Sequence, residues 1–315
     1  MQLGAIAMTI FVALPPEKYR ADAFAAFDPR KPDLDLGNAR ALMWLSQLAY
    51  ETDRPDTLAI VAPKWAISRL TPFQASGATL EAIYDTRGFV AERANATIVA
   101  FAGTDPGVLQ NLITDVDIGK TTEDTHQGFS AAFQNAWPKI IAAIGARTQP
   151  FIFTGHSLGA ALTALAAAQA HAQSTTAGGA ALQPALVYVF GMPRTGGPLW
   201  AAKYDAALGA KTFRFVHASD VVARVPCLGY QHVGRMLNCE SGQKFTMATP
   251  LEALGSNDPT LSSGAVAWIK SQILYWGAGK LFSPAGPGPI GWTFQYIAPP
   301  LRDHLQDQYY DALAP

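Results

Sequence analysis

The run Gly-His-Ser-Leu-Gly at residues 155–159 has the residue types and the spacing of a serine nucleophile. It follows the strand-like run PFIFT and precedes a helix rich in alanine and leucine, so Ser157 is expected at a tight strand-to-helix turn. Such a turn strains the serine backbone, and glycines at positions 155 and 159 remove side chains that would collide there. The N-terminal N–H groups of the helix would also point toward the serine oxygen. These features predict that Ser157 is the nucleophile of an acyl-transfer reaction.

A serine hydroxyl is a poor nucleophile unless a base removes its proton and an acid orients that base. Asp220 is the best candidate for the acid because it ends the strand-like run at residues 211–220. It would therefore emerge at the carboxyl edge of a parallel sheet, where such sites collect. Asp205 lies in the middle of a helical run and is interpreted as a solvated charge.

Four histidines follow the serine in the chain, namely His171, His217, His232 and His304. Sites built on this kind of turn have the chain order serine, acid, histidine, which excludes His217 because it precedes Asp220. His171 lies within the helix after the serine and is expected to point away from it. His232 and His304 remain. His304 is preferred as the base because it lies in a loop after a Gly/Pro-rich segment, whereas His232 lies in an alternating strand-like run and is interpreted as structural.

Acyl transfer also needs hydrogen-bond donors for the oxyanion that develops on the carbonyl oxygen. The backbone N–H of Leu158, the residue after the nucleophile, is the first candidate. A second donor should come from the loop after an earlier strand. Thr104 follows the strand-like run TIVAFAG and could offer both its N–H and its hydroxyl. The alternative for Thr104 is an ordinary Gly-Thr turn at the end of a strand.

Strand-like and helical runs alternate along the chain around these residues. The strand-like runs are 80–85, 89–93, 96–103, 150–155, 184–191 and 211–220, and the helical runs are 38–51, 126–144, 157–172, 196–209 and 265–276. This alternation is typical of an α/β protein with a mostly parallel sheet and helices on both faces. Residues 277–300 are rich in glycine and proline and are predicted to form a loop excursion. We expect one domain over residues 1–315, since too little chain follows the excursion to fold alone.

The composition excludes several classes of function. Of the 315 residues, 49% are hydrophobic and 15% are charged, and the formal net charge is −1. The chain therefore lacks the positive field that nucleic-acid binding requires. No apolar run reaches the roughly 18 residues of a transmembrane helix. The apolar N-terminal stretch has no Lys or Arg before it and is a poor signal peptide, which leaves the cellular compartment open.

Two cysteines, Cys227 and Cys239, are too few for a disulfide framework or a structural zinc site. A disulfide between the two cysteines and a pair of buried thiols remain alternatives, and the disulfide requires export of the protein.

Several separated motifs together resemble the class 3 (fungal-type) lipases of the α/β-hydrolase fold. In chain order they are residues 101–104 (FAGT), 126–129 (HQGF), 155–159 (GHSLG), 190–194 (FGMPR), 220–226 (DVVARVP), 230–234 (YQHVG) and Asp303-His304 with Tyr309. The resemblance implies that Ser157 is the nucleophile, Asp220 the acid and His304 the base. It also implies that Thr104 and Leu158 supply the two oxyanion donors.

The resemblance further implies a short lid, which in that family covers the site and opens at a lipid surface. The matching segment here is residues 105–119. Its apolar side chains at helical spacing, expected to contact substrate, are Val108, Leu109, Leu112 and Ile113. A short helix with one apolar face fits a gate that is alternately covered and exposed. The alternative is a fixed amphipathic helix on the surface.

The chain departs from the family pattern in two places. The family usually has Arg at the position of Ala102, so an ion pair that would tether the lid is missing here. The excursion at residues 277–300 stretches the spacing between the acid and the base. It is expected to form a second apolar flap beside the pocket.

These observations lead us to expect a serine carboxylester hydrolase of the triacylglycerol lipase type, which works through an acyl-enzyme without a metal or cofactor. Its expected partner is an apolar ester at a lipid–water interface. The alternatives are a phospholipase A1, an esterase for short-chain or aromatic acids, and a lipase-like binding protein without activity. The family resemblance makes secretion an expectation as well.

Overall fold

The computed structural model describes residues 14–76, 86–94, 96–103, 119–146, 150–176, 182–226, 228–255 and 302–315. Within these ranges, seven strands form one sheet in which each strand lies beside its neighbour in the chain. The strands are β1 (Arg69–Ala75), β2 (Thr86–Arg93), β3 (Ala96–Phe101), β4 (Phe151–His156), β5 (Pro184–Phe190), β6 (Thr212–His217) and β7 (Arg235–Cys239). β2 pairs antiparallel with both β1 and β3, whereas β3 to β7 run parallel.

Six α-helices accompany the sheet in the same described ranges. They are α1 (Leu36–Leu48), α2 (Pro55–Lys64), α3 (Gln127–Ile144), α4 (Leu158–Thr176), α5 (Pro198–Leu208) and α6 (Gln306–Ala312). Short 3-10 turns add Pro16–Lys18, Ala21–Phe24, Ala49–Glu51, Gly209–Lys211 and Val222–Arg224.

The order of the parallel strands decides which face the connecting helices cover. Crossovers between parallel strands are right-handed in nearly all proteins. Here each crossover leads to the next strand in the same direction across the sheet, so the connecting helices lie on the same face of the sheet. The connecting helices α3, α4 and α5 accordingly share one hydrophobic cluster, which includes Val99, Phe153 and Val187 from the sheet.

The opposite face of the sheet is covered by α1, α2 and α6. Their apolar residues pack with Ile98, Ile152 and Phe213 in a second cluster. From Ile98 to Phe101, successive residues of β3 alternate between the two clusters, and all six residues of the strand are buried. The predicted α/β architecture, a mostly parallel sheet with helices on both faces, is confirmed.

The residue types give no clear signal for three of these elements. α2 begins at Pro55 and contains Pro63 close to its end. β1 contains Pro72, which a sheet tolerates here because β1 is an edge strand. β7 begins only at Arg235, after a left-handed Gly234. The prediction that His232 lies within a strand is therefore wrong.

Several predicted segments lie outside the described residues. These are the strand-like run 80–85, the lid residues 105–118, the helical run 265–276, the excursion at 277–300 and Cys227. The single domain over residues 1–315 stays a prediction. In the described part of the chain, no helix combines the length and the apolar character needed to cross a bilayer.

Candidate active site

Ser157 occupies the sharp turn between β4 and α4. Its φ is +60°, a left-handed backbone conformation that is rare for any residue other than glycine. The turn is held by two backbone hydrogen bonds, from Ser157 N–H to the Phe190 carbonyl at 3.0 Å and from Ala160 N–H to the Ser157 carbonyl at 2.9 Å. Strain of this kind costs on the order of 1–3 kcal/mol and persists only where the surrounding structure fixes it.

The two glycines of the motif are required by close contacts. A Cβ on Gly155 would overlap the carbonyl oxygen of Gly159 and lie 2.5 Å from the hydroxyl oxygen of Thr163. A Cβ on Gly159 would lie 2.5 Å from the carbonyl oxygen of Ala102. Real Cβ atoms do not approach other atoms so closely, so the steric reason for the motif holds in the folded chain.

The structure brings Ser157, His304 and Asp220 together from three separate segments. The Ser157 hydroxyl oxygen lies 2.8 Å from Nε2 of His304, and Nδ1 of His304 lies 2.9 Å from each carboxylate oxygen of Asp220. All three residues are buried, with 0% of Ser157 exposed. Since a carboxylate only accepts, the Nδ1–H of His304 donates to Asp220, and Nε2 then accepts from the serine hydroxyl.

Asp220 follows β6 and is anchored on several sides. Its carboxylate accepts hydrogen bonds from the Tyr309 hydroxyl at 2.6 Å and from the backbone N–H of Val222 at 2.8 Å. Burial by itself would raise the pKa of Asp220, but the charge of His304 and the hydrogen bonds from His304 and Tyr309 outweigh it. The net effect lowers the pKa, so Asp220 is ionised and can stabilise a positive imidazolium.

Gly191, directly after β5, lets the acid and the base meet. Its φ is +56°, and a Cβ at this position would lie 2.7 Å from Oδ2 of Asp220 and 2.9 Å from the ring of His304. Glycine tolerates both the backbone conformation and the contact.

The other histidines after the serine lie elsewhere. His232 is fully buried, and its Nε2–H donates to the carbonyl of Ala223 at 2.6 Å. Burial, followed by the charges of Arg214 and Arg194, lowers its pKa well below the usual range. His171 lies on α4 beside Gln183, with 3.2 Å between Nδ1 and the amide oxygen.

His217 ends β6, and its Nδ1 lies 3.9 Å from a carboxylate oxygen of Asp303.

The interpretation of Asp205 requires a correction. It is partly buried, its carboxylate accepts the N–H of Gly234 at 2.7 Å, and burial raises its pKa. The interpretation of Asp205 as a simply solvated charge is therefore wrong, because its helix packs beside the turn before β7.

Of the two predicted oxyanion donors, the structure describes Leu158 but not Thr104. Leu158 is the first residue of α4, directly after the nucleophile. Thr104 and the predicted lid contacts Val108, Leu109, Leu112 and Ile113 lie outside the described residues. The neighbouring Gly103 is described, and a Cβ there would lie 3.0 Å from Cβ of Ser157, so the end of this segment lies directly beside the nucleophile.

Sequence reasoning assigned no role to three residues that contact this group. Tyr309 bonds to the acid, as described above. His156 forms a hydrogen bond with the backbone of His304, and Tyr50 forms one with His156.

Among the described residues, no group of three His, Cys, Asp or Glu side chains could hold a metal ion. Cys239 is a buried free thiol.

Known proteins resemble this chain in sequence and in fold. Residues 98–230 match the family model of Lipase (class 3). The chain is 29% identical to the secreted mono- and diacylglycerol lipase A of Penicillium cyclopium, over 65% of this chain and 72% of that protein. It is 32% identical to the secreted mono- and diacylglycerol lipase 1 of Fusarium solani, over 39% of this chain and 38% of that protein.

A solved structure, the lipase from Rhizopus microsporus var. chinensis, superposes with a TM-score of 0.52 at 21% identity. The match covers 83% of this chain and 92% of that chain, and it shows a shared α/β-hydrolase fold. The match over residues 98–230 and the similarity to secreted lipases support a class 3 lipase, and with it a carboxylic ester hydrolase.

Proposed function

We propose that this protein hydrolyses acylglycerol esters with Ser157 as nucleophile, His304 as base and Asp220 as acid. The observation that carries the proposal is the continuous hydrogen-bonded chain from the serine hydroxyl through both imidazole nitrogens to a buried carboxylate. A strained, glycine-flanked serine at the start of a helix is the arrangement that nucleophilic catalysis on esters requires.

In the acylation step, His304 Nε2 takes the hydroxyl proton while Oγ of Ser157 forms a bond to the ester carbonyl carbon. The carbonyl π electrons move to the oxygen and give a tetrahedral oxyanion. When the oxyanion collapses, the bond to the alcohol oxygen breaks, and His304 gives its proton to that leaving oxygen. Asp220 stabilises the imidazolium throughout this step.

In the deacylation step, water takes the place of the alcohol. His304 removes a proton from the water as its oxygen attacks the acyl-enzyme carbonyl. Collapse of the second tetrahedral intermediate breaks the bond to Ser157 Oγ, and His304 returns the proton to the serine. The products are a free fatty acid and an alcohol, and the reaction consumes only the ester and one water.

Both tetrahedral intermediates need donors for the oxyanion. We assign this role to the backbone N–H of Leu158 and to Thr104, through its N–H, its hydroxyl or both. Leu158 lies at the N-terminus of α4, where the helix dipole also favours negative charge. The position of Gly103 beside Ser157, where an added Cβ would lie 3.0 Å from Cβ of the serine, supports a donor from the adjoining Thr104.

Acylglycerols are the proposed substrate class because the relatives from Penicillium and Fusarium are named mono- and diacylglycerol lipases. The buried serine supports a gate, since 0% of Ser157 is exposed and a substrate can reach it only after covering residues move. We assign that gate to residues 105–119, with Val108, Leu109, Leu112 and Ile113 contacting lipid. Because these relatives are named secreted lipases, we also propose that the protein is exported.

A substrate series tests this assignment. Purified protein is assayed with emulsions of monooleoyl-, dioleoyl- and trioleoylglycerol, with phosphatidylcholine vesicles, and with p-nitrophenyl esters from acetate to palmitate. We expect turnover of the acylglycerols, with rates that rise when substrate exceeds its solubility. Exclusive hydrolysis of phosphatidylcholine would make the protein a phospholipase A1. Activity restricted to soluble short esters would make it an esterase, and no turnover at all would make it a binding protein.

A further inference from the structure

His156, the residue before the nucleophile, bonds to the segment that carries the base. It is fully buried, and its Nε2 lies 2.8 Å from the backbone carbonyl oxygen of His304. The two imidazole rings also stack, with centroids 4.7 Å apart and planes inclined by 28°. The two residues at the junction of β4 and the turn therefore both contact the base, His156 through its ring and Ser157 through its hydroxyl.

The partners of His156 fix its tautomer. A carbonyl oxygen can only accept, so Nε2 of His156 must carry the proton of this hydrogen bond. Burial, followed by the charge of His304, lowers the pKa of His156 well below its usual range, so the ring is neutral and its Nδ1 is an acceptor. The hydroxyl of Tyr50 lies 3.1 Å from that Nδ1 and donates to it.

Tyr50 also contacts the other side of the nucleophile. It lies in the 3-10 turn that follows α1. A Cβ on Gly103 would overlap the Tyr50 hydroxyl, so this hydroxyl lies directly against the glycine. One hydroxyl group therefore touches both the segment that leads to Thr104 and the ring that holds His304.

We propose that His156 is a positioning residue for the base: its Nε2–H holds the backbone of His304 so that the imidazole stays within reach of Ser157, and Tyr50 selects the tautomer that can do so. The inference rests on the proposed function, because the position of His304 affects turnover only if His304 is the base. A misplacement of about 1 Å in such a site can lower the rate by about 10²-fold.

Two substitutions at one position separate the hydrogen bond from packing. His156→Gln keeps an N–H donor close to the position of Nε2, whereas His156→Leu fills a similar volume without a donor. We expect His156→Leu to lower kcat by about 10- to 100-fold with KM changed by less than about twofold, and His156→Gln to recover most of that loss. The rate of inactivation by a fluorophosphonate, measured on the same variants, should fall in parallel with kcat.

His232 provides a matched control, since it is another buried histidine whose Nε2–H donates to a backbone carbonyl. We expect His232→Leu to lower the midpoint of urea unfolding but to leave kcat unchanged. If kcat is unchanged in His156→Leu, or equally reduced in His156→Leu and His156→Gln, the proposal is overturned.

A second measurement covers the case in which His156→Leu does not fold. Long-range ¹H–¹⁵N spectra of the wild-type protein report which ring nitrogen is protonated, and we expect the Nε2–H tautomer for His156. The Nδ1–H tautomer would overturn the proposal. If a fluorophosphonate does not modify wild-type Ser157, the proposed function fails together with this inference. A labelled wild type with unaffected His156 variants refutes this inference alone.

Discussion

The hydroxyl of Tyr309 donates a 2.6 Å hydrogen bond to Oδ2 of Asp220, the carboxylate that also accepts the Nδ1–H of His304. Both Tyr309 and Asp220 are fully buried. This bond is one of the interactions that hold the pKa of Asp220 low against the effect of burial. Tyr309 also accepts the backbone N–H of His217 at 3.1 Å, so its oxygen is fixed from the end of β6.

Replacement of Tyr309 by Phe should therefore impair the acid without removing it. Hydrogen bonds to charged groups are worth about 1.5–3 kcal/mol, so we expect kcat to fall by about 10- to 100-fold in Tyr309→Phe. Tyr204→Phe is a suitable control, because Tyr204 is also buried and bonds to the Thr212 hydroxyl at 3.0 Å, away from the triad. Steady-state kinetics on both variants measure the difference. Equal kcat values for the two variants would show that Tyr309 has no part in turnover.

The close approach at Gly191 gives a second prediction. In Gly191→Ala the new Cβ would press on the Asp220 carboxylate and on the His304 ring, so we expect kcat/KM to fall about 100-fold or more. Gly242→Ala is the matched control, since Gly242 has φ +75° and, among the described residues, no atom within 4 Å of where a Cβ would lie. The control should lose only about 1–2 kcal/mol of stability through its left-handed backbone. Full activity in Gly191→Ala would mean that the acid and base are not packed as described.

His126 links stability to pH. It is fully buried, and its Nδ1 caps α3 by accepting the N–H of Phe129 at 3.2 Å. Burial lowers its pKa from 6.5 to about 4. Between these two values the unfolded chain binds a proton that the folded chain rejects. The free energy of unfolding therefore decreases as pH falls through this window, by up to about 1.4 kcal/mol per pH unit for this one group.

Substitution of His126 by Asn isolates that contribution. Asn is a good helix N-cap but does not titrate, so His126→Asn should unfold at a similar urea concentration at pH 7. From pH 6.5 toward pH 4 we expect the variant to lose less stability than the wild type, with a slope shallower by up to about 1.4 kcal/mol per pH unit. His156 and His232 have lowered pKa values too, so part of the acid sensitivity should remain. If the free energies of unfolding of the two proteins change in parallel with pH, His126 is not a source of the acid sensitivity.

The parts of this protein that sequence predicts well are those that local physics determines. The turn at Ser157 depends on a strand, a helix and two glycines within a short stretch, and all of these can be read from residue types. Asp220 and His304 are 84 positions apart, yet the chain order of the triad and the meeting of strand ends at one sheet edge placed both near the serine.

The remaining contacts depend on long-range packing and leave no local signal. Tyr50 and His156 are 106 positions apart, and each has the residue type of an ordinary core side chain. β1 and α2 were missed for a different reason. Pro72 and Pro63 disfavour a strand and a helix locally, but an edge position and a place near the helix end tolerate them.

The rate at which a fluorophosphonate modifies Ser157, followed by intact mass and by peptide mapping, tests the central claim most directly. We expect one adduct per chain, on Ser157, with no adduct in Ser157→Ala. In His304→Ala the rate should fall by about 10³-fold or more because the hydroxyl loses its base, whereas His232→Leu should react at the wild-type rate. Modification at another residue, or an unchanged rate in His304→Ala, would contradict the account.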